Sequence, residues 1–165
     1  MIHVIVSLGT NLGDRRKYMD GMLAQLKKLL LPPLKLSPLM ETEPVDVPDE
    51  QEWYYNRIVS GTFNGTARLL LEECREIEKR LGRNNKNTLQ ERTADIDILL
   101  VDNCIIEEKD FTIPHPQILK RRFCIEGIHS IQPDWKHPTE KKTFLELYAS
   151  MDEPVLEQKI HFIGL

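Results

Sequence analysis

Apolar positions alternate with polar or small ones over residues 2–8 and then meet Gly9, Asn11 and Gly13, the pattern of a strand running into a loop. Asp14 stands where it can cap the next element. Over residues 15–30, Met19, Met22, Leu23, Leu26, Leu29 and Leu30 recur at three- and four-residue spacing, which predicts one apolar face of a helix. Pro32 and Pro33 are expected to stop it. A second strand is expected over residues 34–40, interrupted by Pro38, followed by a polar, aperiodic stretch at 43–52 of the kind that often carries function.

Residues 57–63 resume a strand pattern and end at Asn64-Gly65. Thr66 can cap a helix whose apolar stripe is Ala67, Leu70, Leu71, Cys74, Ile77 and Leu81, and Gly82 sits where a left-handed terminus is expected. A second polar loop, 83–91, leads into Asp95–Val101, the most strand-like run of the chain. Asp102-Asn103 is turn-forming, so Ile105 and Ile106 are expected to pair back onto that strand as a short hairpin. Residues 118–131 are helical in pattern, and 144–148 predict a last short helix. This order of elements indicates an α+β fold, a ferredoxin-like sandwich with an antiparallel sheet of about four to six strands packed against helices. The 165 residues suit a single domain, 1–165, without repeats or linkers.

Charge narrows the function. A net charge of −4 supplies no diffuse positive field, so neither nucleic-acid nor membrane binding is expected, and any phosphate ligand must be held by local cations. Cys74, Cys104 and Cys124 are widely spaced and odd in number, which suits free thiols in a reducing cytoplasm, with Cys74 a small buried hydrophobe on its helix. The N-terminal run lacks a basic region and cleavage site of the secretory kind.

Three features carry chemistry. In Asp95-Ile96-Asp97, residues two apart on a strand project from one face about 6.6 Å apart, with Ile96, Ile98 and Leu100 expected in the core behind them. Paired carboxylates repel unless a hard cation such as magnesium joins them, although the same pattern also occurs on solvated strand faces. Around that strand are Arg83, Lys86, Arg92, His115, Lys120, Arg121 and Arg122, cations suited to polyphosphate oxygens or to ordinary surface ion pairs. Trp53, Tyr54 and Tyr55 with Asn56, and Phe123, can stack on and read a flat heterocycle, or simply fill the core. No P-loop and no protein-kinase motif set is present, so phosphoryl chemistry would need another scaffold.

At these positions the sequence resembles the 6-hydroxymethyl-7,8-dihydropterin pyrophosphokinases. The resemblance rests on Ser7-Leu8-Gly9-Thr10-Asn11-Leu12-Gly13-Asp14, Glu41-Thr42-Glu43-Pro44-Val45, Tyr54-Tyr55-Asn56, the run Arg92-Thr93-Ala94-Asp95-Ile96-Asp97, Ile113-Pro114-His115-Pro116, Arg121-Arg122-Phe123, and Pro133-Asp134-Trp135 with His137-Pro138. It implies an ATP-dependent enzyme of folate biosynthesis that acts as a cytoplasmic monomer on a reduced pterin. By the same resemblance Asp95 and Asp97 would hold two magnesium ions; Arg83, Arg92, His115 and Arg121 would contact phosphates; and Ile98 and Thr112 would lie near the adenine. Arg83 and Arg92 count with Asp95 and Asp97 as catalytic. Tyr54 and Phe123 would sandwich the pterin, Asn56 would read its edge, and the backbone of Thr42, Glu43 and Val45 would complete its recognition. Glu78 would have a supporting role. The chain departs from the family where a Trp and a second loop Arg are usual: residues 84–91 offer Leu89 and a run of Asn instead, which implies weaker closure of loops 43–52 and 83–91 over ATP. Gly127 and Ser130 stand where Pro and Glu are usual. A catalytically weak, ferredoxin-like metabolite-binding module is the alternative, and an RNA-binding sheet is disfavoured by the acidic balance and by Asp95 and Asp97.

Overall fold

The structure is a computed structural model that describes residues 1–45, 51–82 and 94–163. Its elements are β1 (Ile2–Thr10), α1 (Arg15–Leu29), β2 (Leu31–Leu36), β3 (Met40–Thr42), β4 (Tyr54–Phe63), α2 (Ala67–Arg80), β5 (Asp95–Val101), β6 (Ile106–Glu108), β7 (Phe111–Ile113), a 3₁₀ turn (Ile118–Lys120), α3 (Arg122–Ile131), α4 (Phe144–Ala149), α5 (Glu153–Leu156) and β8 (Ile160–Phe162). One sheet of six strands runs in the order β5-β1-β4-β3-β8, with β2 also paired to β4, and every pairing is antiparallel. The α+β arrangement expected from the sequence is therefore present.

The helices form where their apolar spacing demands. Asp14 caps α1 by accepting from the Lys17 N–H at 3.0 Å, and Thr66 caps α2 by accepting from the Leu69 N–H at 3.1 Å. Met19, Met22, Leu23 and Leu26 of α1 and Leu70, Leu71, Cys74 and Ile77 of α2 are buried against Val4, Val6 and Leu8 of β1. Gly82 ends α2 at φ 92°, a conformation that favours glycine. On the opposite face Ile125 and Ile128 of α3 and Phe144 and Leu147 of α4 cover Ile5, Ile58, Leu99 and Leu100. A Cβ on Gly127 would stand 2.2 Å from Ile58 Cγ1, so the absence of a side chain there lets α3 lie directly on β4.

Four expectations need correction. Pro32 and Pro33 do not merely end α1. They lie inside β2, which pairs with β4 as a short strand whose register shifts between Leu31 and Lys35, an irregularity that accommodates residues lacking an N–H. Leu100 does not share the face of Ile96 and Ile98. Ile5 pairs with Leu100 but Val6 with Ile98, leaving Leu99 as an extra residue, and this bulge turns Leu100 to the other layer. Ile105 and Ile106 do not return to β5. Ile106 instead pairs with Ile113 in a separate hairpin, because the Asp102 carboxylate and N–H both bond to His3 and hold the turn at the end of β1. Finally, the helix expected over 118–131 breaks at Arg121, which is extended at φ −120° and ψ 114°.

Candidate active site

The polar ends of the central strands and the start of α3 enclose one pocket of about 660 Å³, counting the open space at its mouth. Asp95 and Asp97 point into it from β5, as the alternation of that strand requires. Opposite them on β1 stand Gly9, paired with Asp95, and Ser7, paired with Asp97. Both line the pocket. Thr42, Glu43, Pro44 and Val45 form the wall at the end of β3, Tyr54 and Asn56 the floor on β4, and Arg121 and Phe123 the wall at the start of α3. Every residue expected to recognise the pterin thus lines the same pocket as the two carboxylates.

Local bonds fix several of these groups. Asn56 is buried and its Nδ2 donates to Thr42 Oγ1 at 2.6 Å, joining β4 to β3 beneath the pocket. A Cβ on Gly9 would sit 2.9 Å from Asn56 Oδ1, so glycine makes room for that amide. Buried Glu78 of α2 accepts the Ile96 N–H at 2.8 Å and so anchors the backbone between the two aspartates from the closed face of the sheet. His115 places Nε2 3.9 Å from Asp97 Oδ1, while its Nδ1 accepts from the Gln117 N–H at 3.2 Å. That bond leaves the ring's proton on Nε2, the nitrogen nearer Asp97, although His115 itself is not among the residues lining the pocket.

The other expected residues divide. Of Lys120, Arg121 and Arg122, only Arg121 lines the pocket. Arg122 is engaged by Glu126 and by the carbonyls of Leu156 and Gln158. Ile98 is buried in the core of the opposite face, so a ligand on the pocket side can reach only its backbone, and Thr112 is exposed on β7 outside the pocket lining. Arg83, Arg92, Lys86 and Leu89 lie outside the described residues, as do most of the two polar loops. The two tyrosines separate cleanly. Tyr54 faces the pocket, whereas Tyr55 lies on the other side beneath the Arg15 guanidinium, 4.1 Å from its ring centroid. Arg15 in turn bonds Glu41 at 2.7 Å and the Trp53 carbonyl at 2.8 Å, tying α1 to the strands that carry Thr42 and Tyr54. Burial pushes the Cys124 thiol, on α3 behind Arg121, up to about 12, which leaves it protonated and unreactive at neutral pH.

Sequence reasoning passed over Ser7 and Gly9 as pocket residues. Their position opposite the aspartates depends on the antiparallel pairing of β1 with β5, which one strand's alternation does not specify; a glycine inside the first strand was the available sign.

The chain matches the family model for 7,8-dihydro-6-hydroxymethylpterin-pyrophosphokinase (HPPK) over residues 5–133. A folate synthesis bifunctional protein of Chlamydia trachomatis is 35% identical over 157 residues, which are 88% of this chain and 35% of that protein. The folic acid synthesis protein fol1 of Schizosaccharomyces pombe is 31% identical over 134 residues, 81% of this chain and 18% of its own length. The chain thus spans a minor part of these longer relatives. It matches more of the 2-amino-4-hydroxy-6-hydroxymethyldihydropteridine pyrophosphokinase of Bacillus subtilis, 33% identical over 76% of this chain and 75% of that one. Among solved structures, wild-type HPPK-DHPS of Plasmodium falciparum with SDX-DHP superposes with a TM-score of 0.70 at 16% identity, covering 90% of this chain and 44% of that one, a likeness of fold. The family match, together with these relatives, establishes that the chain belongs to the 7,8-dihydro-6-hydroxymethylpterin-pyrophosphokinase family.

Proposed function

We propose that this chain transfers the terminal diphosphate of ATP to the hydroxymethyl group of 6-hydroxymethyl-7,8-dihydropterin as a step of folate biosynthesis. The observation that carries this reading is the convergence of Asp95, Asp97 and Arg121 with Thr42, Tyr54, Asn56 and Phe123 on one pocket. It offers a place for phosphates beside a place for a flat, hydrogen-bonding ring.

In the reaction the pterin hydroxyl oxygen bonds to the β-phosphorus, the bond from that phosphorus to the oxygen bridging the α-phosphate breaks, AMP leaves, and the hydroxyl proton passes to solvent. Such transfers depend on positioning and charge stabilisation more than on a strong base. Asp95 and Asp97 would hold the metal. Among the described residues no cluster of three or more His, Cys, Asp or Glu side chains forms a metal cage, and two carboxylates on one face suit magnesium, which completes its shell with water and substrate phosphates. Two ions are part of this proposal. Held there, magnesium would supply positive charge to the phosphate oxygens. Arg121 adds a fixed positive charge on the opposite wall, and the Nε2–H of His115 is a donor beside Asp97. Tyr54 and Phe123 bound the ring, and Asn56, held by Thr42, presents its amide to the ring's edge.

Action as a cytoplasmic monomer, with residues 1–165 as one domain, belongs to the same proposal. The cysteines among the described residues are all free thiols, and no helix there is long and apolar enough to cross a membrane. The deciding experiment incubates the protein with ATP, magnesium and the reduced pterin and follows AMP by mass spectrometry. AMP should form only when all three are present. Tight binding of both ligands without AMP would favour the metabolite-binding module instead.

A further inference from the structure

Gln158 and Lys159, adjacent residues between α5 and β8, touch both walls of the pocket without lining it. Gln158 is half-buried; its Oε1 accepts the Arg122 N–H at 3.0 Å and its Nε2 donates to the Lys120 carbonyl at 2.7 Å. These two backbone groups flank Arg121. In an extended residue the preceding C=O and the following N–H point to the same side, so one side-chain amide can satisfy both as a neighbouring strand would. Arg121 is extended at φ −120° and ψ 114°, caps α3 without a side-chain bond of its own, and sits at the break in the expected helix. The Gln158 amide therefore does two things: it supplies an acceptor to the first N–H of α3, a group no helix satisfies internally, and it pins the backbone that carries Arg121 and Phe123.

The opposite wall is held from the next residue. The Lys159 N–H donates to Glu43 Oε1 at 3.1 Å, and the Glu43 N–H donates to the Lys159 carbonyl at 3.4 Å. From there β8 runs along β3, pairing Ile160 with Thr42 and His161 with Glu41. The His161 ring packs against Trp53 at 5.3 Å between centroids, next to Tyr54. Arg122 returns two bonds to the same segment, to the carbonyls of Leu156 and Gln158 at 2.9 and 3.0 Å.

We infer that residues 156–162 brace the ring-binding half of the pocket, with Gln158 as a positioning residue that sets Arg121 and Phe123 against the Thr42–Val45 wall. This rests on reading that pocket as the pterin site. Glu43 and Phe123, which the brace holds, both stand on the pterin side, whereas Arg121 is one phosphate-side group beside Asp95 and Asp97 of β5, so loss of the brace should weaken the pterin more than the nucleotide.

The test is calorimetric titration of the full chain with 6-hydroxymethylpterin and, separately, with magnesium and a non-hydrolysable ATP analogue, for the unmodified protein, Gln158→Ala and Gln158→Glu. In Gln158→Ala the pterin dissociation constant should rise about tenfold, the scale of one net hydrogen bond, while the nucleotide constant, which draws on Asp95 and Asp97 as well as Arg121, should rise no more than about threefold. Turnover at saturating pterin should persist. Gln158→Glu keeps the acceptor for Arg122 and loses the donor to Lys120, so its pterin affinity should fall between the other two. It also decides the question should Gln158→Ala fail to fold. Equal loss of both ligands, or undiminished pterin affinity in a folded variant, would overturn the brace. An unmodified chain that binds no pterin would overturn the pocket reading itself, and the brace with it.

Discussion

On one face of the sheet Val4, Val6 and Leu8 lie under α1 and α2 for the whole length of β1; on the other, Ile5 lies under α3 and α4, but Ser7 and Gly9 further along face the pocket. The same change occurs on each neighbouring strand, level with β1 on β5 but one pair later on β4, where Ile58 lies opposite Ser7, and one pair later again on β3, where Met40 lies opposite Asn56. Along β5 the residues of that face pass from Leu100 and Leu99 to Asp97 and Asp95, along β4 from Ile58 to Asn56 and Tyr54, and along β3 from Met40 to Thr42. The site therefore begins where the second helical layer stops. Four strands contribute to it because antiparallel register brings their polar ends together, and the closed face behind provides a rigid base for a preorganised site.

Neighbouring residues on opposite faces should respond in opposite ways. Asp97→Ala should cut AMP formation by at least about 10²–10³-fold, the ordinary cost of one lost transition-state contact, with the urea midpoint nearly unchanged. Ile98→Ala should instead lose about 2–5 kcal/mol of stability through a cavity in the closed core. An active, destabilised Asp97→Ala protein would break the distinction between the faces.

Gly127→Ala probes where the second layer is seated. Its Cβ would meet Ile58 at 2.2 Å, and overpacking of this kind costs about 1–3 kcal/mol. Thermal unfolding should show that loss; an undisturbed midpoint would mean α3 can lift from β4 freely.

A smaller effect separates the tyrosines. Tyr54→Leu or Phe123→Leu should weaken pterin binding by about 0.5–1.5 kcal/mol, the worth of an aromatic pair beyond its area, with nucleotide binding preserved. Tyr55→Leu should leave pterin binding intact and cost about 0.5–1 kcal/mol of stability as the contact with Arg15 is lost. Titration of all three variants checks the assignment.

The closed face was largely legible in the sequence, because period alone defines an apolar helix stripe: the buried apolar residues of α1 and α2 are all among those the spacing marked, with Leu29, Ala67 and Leu81 only partly buried at its margins and Glu78 buried beside it. β5 was equally legible, as a run of β-branched and aliphatic residues. What escaped depends on pairing between distant segments. The bulge at Leu99 arises from the fit of β5 to β1, and the break at Arg121 coincides with an amide arriving from Gln158, 36 residues beyond its partner Arg122. β8 has only three residues and gains its stability from β3, so no local pattern announces it. On the open face the aspartates, Asn56 and Phe123 stood out by chemistry and resemblance, while Ser7 and Gly9, though part of the resembling opening segment, carried no sign of a place in the pocket, Gly9 serving there by leaving space for the Asn56 amide.

The smallest expected effect is one of pH, away from the pocket. Burial holds the His137 imidazole below its ordinary 6.5, and its Nδ1 accepts from the N–H groups of Thr139 and Glu140. Because the folded ring binds a proton less readily than the unfolded one, the stabilisation is complete above the ordinary value of 6.5 and is lost as pH falls from there through the lower folded value. His137→Asn offers an acceptor that does not titrate, so its denaturation midpoint should fall less than that of the unmodified chain between neutral and mildly acid pH. Parallel curves would show that His137 does not set this pH dependence.

Direction of the pterin hydroxyl to the β-phosphorus of ATP can be followed with ATP labelled at that phosphorus. Incubated with magnesium and the reduced pterin, the protein should move the label into the pterin product and leave AMP unlabelled, and Asp97→Ala should abolish the transfer. Label retained in ADP, or released only as inorganic phosphates without a labelled pterin, would contradict it.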